Sequence, residues 1–281
     1  MKLLRWGPVG AERPGMLDGE GVARDLTGFV PDIGGAVLSD AGLAMLRGLD
    51  AGALPKLPEG VRLGPCVGGI GKMVCVGLNY SDHAAESGMA VPPEPIIFMK
   101  ANSAICGPDD AIVQPRGSTK MDYEVELAIV IGRRTKYVSE AEALSHVAGY
   151  AVCNDVSERA FQNERSGQWT KGKSCDTFGP LGPWMVTRDE VPDPQALAMW
   201  LTVNGQSRQK GTTATMVYGA AFLVSYLSQF MGFDAGDVII TGTPPGVGMG
   251  MKPPQWLQPG DVVELGIDGL GRQRQVVVAD A

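Results

Sequence analysis

The segment Tyr123-Glu-Val-Glu-Leu-Ala-Ile-Val-Ile131 is the most apolar stretch of the chain that has the pattern of a β-strand. Glu124 and Glu126 lie two residues apart, which places both carboxylates on the same face of an extended segment. That face continues with Ala128 and Val130, so it leads into a core and away from water. Two like charges in such a place require a nearby cation, because roughly several kcal/mol of desolvation and repulsion would otherwise be relieved by protonating one of them.

The length and composition indicate the domain organisation. A chain of 281 residues with 44% hydrophobic content can bury a large core, and its length predicts one sizeable domain with a smaller appendage, or two domains. We expect a small N-terminal module at residues 1–66, which are rich in glycine, proline and turns and include one helical stretch at residues 39–49. Residues 67–281 then form the main domain.

The charge and the apolar stretches argue against two kinds of partner. The formal net charge of −7, without a stripe of lysine and arginine, predicts no binding to the phosphate backbone of nucleic acid. The longest apolar stretch of the C-terminal half, residues 217–227, is about half the roughly 20 residues of a membrane span, so we expect no membrane segment. The N-terminus lacks the apolar region of a secretion signal, and we therefore expect a cytoplasmic protein.

Short β-branched runs recur between glycines and prolines from residue 72 onward. They predict strands at residues 73–77, 95–100, 123–131, 149–155, 184–187, 200–204, 237–241, 262–267 and 274–279. Helical patterns are fewer, and they lie at residues 81–87, 139–146, 157–163 and 215–230. This balance favours a mixed, β-rich α+β fold, a β-sandwich or roll, over a doubly wound sheet, which needs a helix between most strands.

Asp155 offers a third carboxylate at the end of the predicted strand 149–155. Together with Glu124 and Glu126 it would complete an all-oxygen set suited to Mg²⁺ or Mn²⁺, which prefer hard ligands. Asp155 could instead cap the turn that follows the strand, and spacing alone does not decide between these interpretations.

A metal held by three carboxylates next to an anionic substrate requires further cations nearby. The candidates are Lys100 at the end of the predicted strand 95–100, Arg159 followed by Gln162 at helical spacing, and Lys173 in a glycine-containing loop. Each of these residues, taken alone, is more often a solvated surface group than part of a site. Their clustering within polar, glycine-rich motifs favours a functional role.

His83 and Glu86 lie three residues apart in a helical pattern, so that the carboxylate can orient the imidazole and stabilise its charged form. Such a pair can take a proton from water near neutral pH. A His-x-x-Glu pair is also common in a purely structural role, and the alternative stays open at this point.

The glycine-dense segment Thr241-Gly-Thr-Pro-Pro-Gly-Val-Gly-Met-Gly250 lacks the Gly-Lys-Ser/Thr ending of a phosphate loop. Its backbone N–H groups and the Thr243 hydroxyl could approach a ligand closely. The alternative is a strained connection between two strands.

A series of motifs, taken in chain order, closely resembles the fumarylacetoacetate hydrolase family over residues 72 to about 275. The motifs are Gly77-Leu-Asn-Tyr-Ser-Asp-His-Ala-Ala-Glu86, Asp122-Tyr-Glu-Val-Glu-Leu127, Asn154-Asp-Val-Ser-Glu-Arg159, Lys171-Gly-Lys-Ser-Cys-Asp-Thr-Phe178, Val203-Asn-Gly205 and Gly236-Asp-Val-Ile-Ile-Thr-Gly-Thr-Pro-Pro-Gly-Val-Gly248.

The resemblance implies a β-roll catalytic domain that pairs as a homodimer or a dimer-based oligomer. It implies Mg²⁺ or Mn²⁺ on Glu124, Glu126 and Asp155, and a water-activating dyad formed by His83 and Glu86. The residues expected to contact the substrate are Arg159, Gln162, Lys173 and Thr243 from the resemblance, with Lys100 added from its position.

The implied reaction is metal-dependent hydrolysis of the C3–C4 bond of a small anionic 2,4-diketo acid, giving pyruvate and a second acid. His83, held by Glu86, would deprotonate the attacking water, and Lys173 would stabilise the oxyanion. Segments 2–8, 176–184 and 244–254 resemble the branch that acts on 2,4-diketo-3-deoxy-L-rhamnonate or -fuconate, for which the second acid is lactate.

Other functions fit the same residues. The metal site could serve a keto–enol isomerase or a decarboxylase of the oxaloacetate type, and these differ from the hydrolase in their products. The chain could also be a non-catalytic module that binds small acids.

Overall fold

Strands make up most of the regular structure in the computed structural model, which describes residues 1–82 and 92–280. The strands are β1 (Lys2–Trp6), β2 (Arg13–Leu17), β3 (Ala23–Asp25), β4 (Met73–Gly77), β5 (Ile96–Lys100), β6 (Ile105–Cys106), β7 (Ile112–Gln114), β8 (Met121–Asp122), β9 (Val125–Ile131), β10 (Val147–Asn154), β11 (Ser157–Glu158), β12 (Gly179–Thr187), β13 (Ala198–Val203), β14 (Gln206–Thr212), β15 (Val238–Ile240), β16 (Val262–Ile267) and β17 (Gly271–Ala279).

The α-helices that lie wholly within the described residues are short. They are α1 (Asp40–Arg47), α2 (Glu140–Ala143), α3 (Arg159–Asn163), α4 (Thr170–Lys173) and α5 (Ala220–Phe230). Among residues 1–82 and 92–280, no helix has the length and hydropathy needed to cross a bilayer.

Two large sheets form the framework. The first has the order β3-β2-β1-β12-β10-β9-β15-β4-β5, and β6 pairs alongside β12. The second has the order β14-β13-β16-β17-β7, and a small two-stranded sheet joins β8 to β11. The strands of the first sheet are mostly antiparallel, with β15 and β4 parallel. The predicted mixed, β-rich α+β fold is confirmed.

The glutamate-bearing segment forms a central strand of the first sheet. All seven residues of β9 are buried, and their alternation divides them between two cores. Leu127 and Ile129 pack in the core that includes Leu201 of the second sheet, whereas Ala128 and Val130 pack in the core that includes helix α1. Both faces of the strand are therefore covered, and its register is fixed from both sides.

The N-terminal region differs from its prediction in one respect. The expected helix is present as α1, and Ser39 caps it by accepting a hydrogen bond from Gly42 N at 3.2 Å. Strands β1 to β3 were not predicted. Of these, β2 contains Pro14 and Gly15, which usually argue against a strand. They extend the first sheet, since β1 pairs antiparallel with β12. The domain boundary at residue 66 stays a prediction.

Most predicted elements of the main domain appear with shifted ends. The predictions at residues 73–77 and 262–267 coincide with β4 and β16. Strand β10 ends at Asn154, which leaves Asp155 just beyond it. The predicted helix at residues 215–230 begins later, as α5, with Gly219 as its N-cap. Most of the predicted helix at residues 81–87 lies outside the described residues.

Candidate functional site

The three predicted carboxylates converge at the ends of two neighbouring strands. Glu124 directly precedes β9, Glu126 is its second residue, and Asp155 directly follows β10. Because β9 and β10 are antiparallel, the end of one lies beside the start of the other. One oxygen from each of the three carboxylates lies within 4.8 Å of the others, and all three side chains are buried.

The two glutamates have opposite electrostatic environments. Burial alone would raise the pKa of Glu124, but the charges of Arg159 and Lys173 outweigh it and lower that pKa from 4.5 to about 2. Burial raises the pKa of Glu126 well above 4.5, and the neighbouring carboxylates of Asp155 and Glu124 add to the rise. The site therefore favours a proton on Glu126 when no metal is bound.

The donor set fits a hard divalent cation. It consists of carboxylate oxygens, which Mg²⁺ and Mn²⁺ prefer, and a bound cation would favour the ionised form of Glu126. The buried Asp155 Oδ1 also has no hydrogen-bond donor among the described residues. It forms a buried ion pair with Lys100, whose Nζ lies 2.6 Å away.

Lys173 lies directly beside the carboxylates, at the end of α4. Its Nζ donates to Glu124 Oε2 at 2.5 Å and to Asp155 Oδ2 at 2.7 Å. Burial would lower the pKa of Lys173, but Asp155 and Glu124 raise it above its ordinary value, so the ammonium stays charged. The preceding Gly172 permits this placement, because a Cβ there would lie 2.4 Å from the Glu158 carbonyl oxygen.

Lys100 lies on the other side of Asp155. Its Nζ donates to the carbonyl oxygens of Val156 at 3.0 Å and Lys173 at 2.7 Å, and it is fully buried. Lys100 is not among the described residues that line the cavity. The expectation that it contacts the substrate stays a prediction, while its contacts hold Asp155 and the Lys173 backbone in place.

Arg159 connects the carboxylates to a fourth acid that sequence reasoning missed. Its guanidinium donates to Glu124 Oε1 at 2.6 Å, to Gln162 Oε1 at 3.0 Å and to Asp122 Oδ2 at 2.9 Å. Asp122 is buried and also accepts hydrogen bonds from Gly248 N at 2.7 Å and from the next backbone N–H. The sequence contained a signal for Asp122, because this residue precedes Glu124 by two positions and so continues the face that carries the glutamates.

The glycine-dense loop supports the other side of the cluster. Gly242 N donates to Glu126 Oε2 at 2.8 Å, and Gly242 has a φ of +92°, which favours glycine. The Thr243 hydroxyl donates to the Val125 carbonyl oxygen at 2.9 Å. Gln209, which is fully buried on β14, accepts from Val125 N at 3.0 Å and donates to Thr243 Oγ1 at 2.8 Å. No sequence signal distinguished Gln209 within its polar strand.

A cavity of about 260 Å³ opens above the carboxylates. Its described lining residues are Val76, Gly77, Leu78, Phe98, Glu124, Glu126, Asp155, Arg159, Gln162, Asn163, Trp169, Lys173, Gly242, Thr243 and Met249. Four of the predicted substrate contacts, all but Lys100, thus line the same cavity as the predicted metal ligands. His83 and Glu86 lie outside the described residues, so their dyad stays a prediction.

Known proteins similar to this chain include hydrolases and an isomerase. A curated protein of Burkholderia multivorans, whose name assigns it to the hydrolases only provisionally, is 60% identical over 280 residues, which cover 99% of each chain. The fumarylacetoacetate hydrolase of Exiguobacterium antarcticum has a similar structure, with 37% identity and a TM-score of 0.85 over all of both chains.

Two further solved structures resemble the chain over its full length. One is maleylpyruvate hydrolase from Sphingobium sp. SYK-6 in complex with manganese(II) and pyruvate, with 29% identity, a TM-score of 0.83 and full coverage of both chains. The other is 2-hydroxyhepta-2,4-diene-1,7-dioate isomerase from Mycobacterium marinum, with 32% identity, a TM-score of 0.76 and coverage of 100% of this chain and 99% of that one.

The family model for the C-terminal domain of fumarylacetoacetate hydrolase matches residues 72–278, which include every described residue of the candidate site. The chain belongs to the fumarylacetoacetate hydrolase family.

Proposed function

We propose that the chain catalyses metal-dependent hydrolysis of the C3–C4 bond of a 2,4-diketo acid, releasing pyruvate and a second acid. The observation that carries the proposal is the cluster of three buried carboxylates beside Lys173 and Arg159 at the base of one cavity. The similar maleylpyruvate hydrolase, whose structure contains manganese(II) and pyruvate, supports the same kind of ligand.

The metal ligands in this proposal are Glu124, Glu126 and Asp155. A bound Mg²⁺ or Mn²⁺ would supply a Lewis acid that polarises the oxygens of a keto acid. Arg159 holds Glu124 through a hydrogen bond of 2.6 Å, so one ligand is oriented before any metal binds. Gln162 lines the same cavity, and its side-chain NH₂ group can donate to the substrate carboxylate. Thr243 lines the cavity as well, with its hydroxyl hydrogen donated to the Val125 carbonyl oxygen.

Lys173 acts as a donor in this scheme and not as the base. Its raised pKa keeps the ammonium protonated, because Asp155 and Glu124 outweigh the opposing effect of burial. It can therefore donate a hydrogen bond to the oxyanion that forms when water attacks the C4 carbonyl. The base must then be another group, and we assign that role to His83, oriented by Glu86.

For the substrate we propose 2,4-diketo-3-deoxy-L-rhamnonate or -fuconate, on the resemblance of segments 2–8, 176–184 and 244–254 to that branch of the family. Lactate would then be the second product. We further expect a cytoplasmic homodimer or dimer-based oligomer.

A keto–enol isomerase is the second candidate function. The 32% identical isomerase of Mycobacterium marinum favours it, because that protein shares the fold over the whole length of this chain. Isomerisation moves a proton without breaking a carbon–carbon bond, so the products separate the two functions.

Product analysis tests the proposal directly. The protein is stripped of metal with EDTA, supplied with Mn²⁺ or Mg²⁺, and incubated with acylpyruvates and 2,4-diketo-3-deoxy sugar acids. We expect pyruvate and a second acid in equal amounts, in the metal-loaded samples alone. His83→Ala should lose hydrolysis while retaining any enolisation. Turnover that survives EDTA, or products that retain the original carbon skeleton, would contradict the proposal.

A further inference from the structure

The cavity has two chemically different parts. The carboxylates lie at its base with Arg159 and Lys173, and the polar residues Gln162, Asn163 and Thr243 also line it. Its apolar lining residues form an apolar wall, defined here as Val76, Leu78, Phe98, Trp169 and Met249. A keto acid whose carboxylate end occupies the base can place its far end against the apolar wall.

The positive charges at the base are already paired. Arg159 and Lys173 are the basic residues among the described lining residues. The guanidinium of Arg159 lies 2.6 Å from Glu124, and the ammonium of Lys173 lies 2.5 Å from Glu124. A second carboxylate on the far end of a substrate would meet no unpaired cation among the described lining residues, so no ion pair there would offset its desolvation.

Leu78 is held in a backbone conformation that leucine rarely adopts. Its φ is +54°, in the left-handed region where glycine is preferred, yet a leucine side chain lies at the cavity. The next residue, Asn79, fixes this conformation by donating to the carbonyl oxygens of Thr241 at 2.8 Å and Tyr218 at 3.0 Å. The fold thus places an isobutyl group where a glycine would be the easier choice.

Trp169 and Phe98 form the aromatic part of the wall. Their rings pack edge to face, with centroids 5.5 Å apart. The indole also lies directly against the β4 backbone, because a Cβ at Gly77 would be 2.4 Å from Trp169 Cζ3. Packing on both sides restricts the indole, so the wall is preformed and does not need a ligand to assemble it.

We infer that the apolar wall selects keto acids with a short, uncharged, apolar far end and rejects those with a second carboxylate. This inference deepens the proposed function and rests on it for the orientation of the keto-acid end. A 6-deoxy sugar acid meets the requirement, because its chain ends in a methyl group.

Two acids with the same six-carbon skeleton test the inference without turnover. 2-Oxohexanoate ends in a methyl group, and 2-oxoadipate ends in a carboxylate. We expect the Mn²⁺-loaded protein to bind 2-oxohexanoate at least about tenfold more tightly by calorimetry. Equal or tighter binding of 2-oxoadipate, or no binding of either acid, would overturn the inference. A failure of the proposed hydrolysis would appear instead as absent cleavage of diketo acids by a protein that still shows this preference.

Substitutions in the wall sharpen the test. Trp169→Arg should improve binding of 2-oxoadipate by about tenfold, because it introduces an unpaired cation. Leu78→Gly should weaken binding of 2-oxohexanoate severalfold without lowering the unfolding temperature, because glycine suits the φ of +54°. Tyr137→Gly is the matched control, since Tyr137 has a φ of +55° but is exposed and outside the cavity. Wild-type binding in Leu78→Gly would contradict the role of the wall.

Discussion

The two sides of the carboxylate cluster differ in how their negative charge is compensated. On one side, Glu124 lies between Arg159 and Lys173, and its pKa falls to about 2 because their charges outweigh the effect of burial. On the other side, burial and neighbouring carboxylates raise the pKa of Glu126, which accepts a hydrogen bond from Gly242 N. The protein thus neutralises one half of the cluster with its own cations and leaves the other half suited to a metal.

The largest expected effect comes from removing a proposed metal ligand. Glu126→Ala or Asp155→Ala should lower metal-dependent turnover by about 10³-fold or more, because the Lewis acid contributes several kcal/mol to the barrier. Steady-state rates at saturating Mn²⁺ measure the loss, and circular dichroism checks that the fold persists. Near-normal turnover in a folded variant would contradict the assignment of that residue as a metal ligand.

Removing a cation from the neutralised side should affect stability as well. In the wild type, Lys173 Nζ lies 2.5 Å from Glu124 and 2.7 Å from Asp155. Lys173→Met removes this shared cation from both buried carboxylates, which should lower the free energy of unfolding by about 3–5 kcal/mol. Denaturant titration of the metal-free protein measures this loss. Lys171→Met is the control, because Lys171 lies on the same helix but is exposed, and it should change stability by less than about 0.5 kcal/mol.

Gln209 connects the second sheet to the metal side. Gln209→Met removes the hydrogen bonds to Val125 N and Thr243 Oγ1 and should weaken Mn²⁺ binding about 10- to 100-fold. Gln273→Met is the control, since Gln273 is similarly buried but donates to Val152 O at 2.8 Å and has no hydrogen bond to β9 or to Thr243. A similar loss of Mn²⁺ affinity in both variants would mean that Gln209 has no specific role in placing the ligands.

The smallest expected effect is a change in pH dependence. Burial raises the pKa of Glu126 in the folded, metal-free protein, so the stability that its neutral form contributes is complete below the unfolded value of 4.5. That contribution is lost as pH rises through the folded pKa. Glu126→Gln remains neutral, so the metal-free variant should become more stable than the metal-free wild type as pH increases.

Thermal unfolding from pH 5 to 8 measures the difference between the two proteins. With saturating Mn²⁺ the wild type should instead have the higher unfolding temperature, because only the wild type has the complete set of proposed ligands. Parallel pH profiles without metal would contradict the assignment of the proton to Glu126.

The sequence predicted the parts of the site that depend on local pattern. Alternation along β9 indicated that Glu124 and Glu126 share a face, and the end of an apolar run placed Asp155 at a strand terminus. Both features follow from the period of two in an extended chain. The family motifs then indicated that these segments meet in one site.

The parts that depend on tertiary packing were not predictable. Gln209 reaches Val125 because the second sheet packs on β9, and nothing in its own strand marks it as buried. The position of Lys100 behind Asp155 depends on how the ends of β5 and β10 meet. Strand β1 could not be recognised from the neighbouring sequence, because it is stabilised by pairing with β12, which is remote in sequence.

Calorimetric titration of the metal-free protein with Mn²⁺, in two buffers of different ionisation enthalpy, tests the central claim most directly. We expect one ion per chain and a net release of protons on binding, because a bound cation favours the ionised form of Glu126, whose pKa is raised in the metal-free protein. Glu126→Gln should bind Mn²⁺ more weakly and release no proton from this position. Absence of a Mn²⁺ site, or a site that persists unchanged when Glu126 and Asp155 are both replaced by alanine, would contradict it.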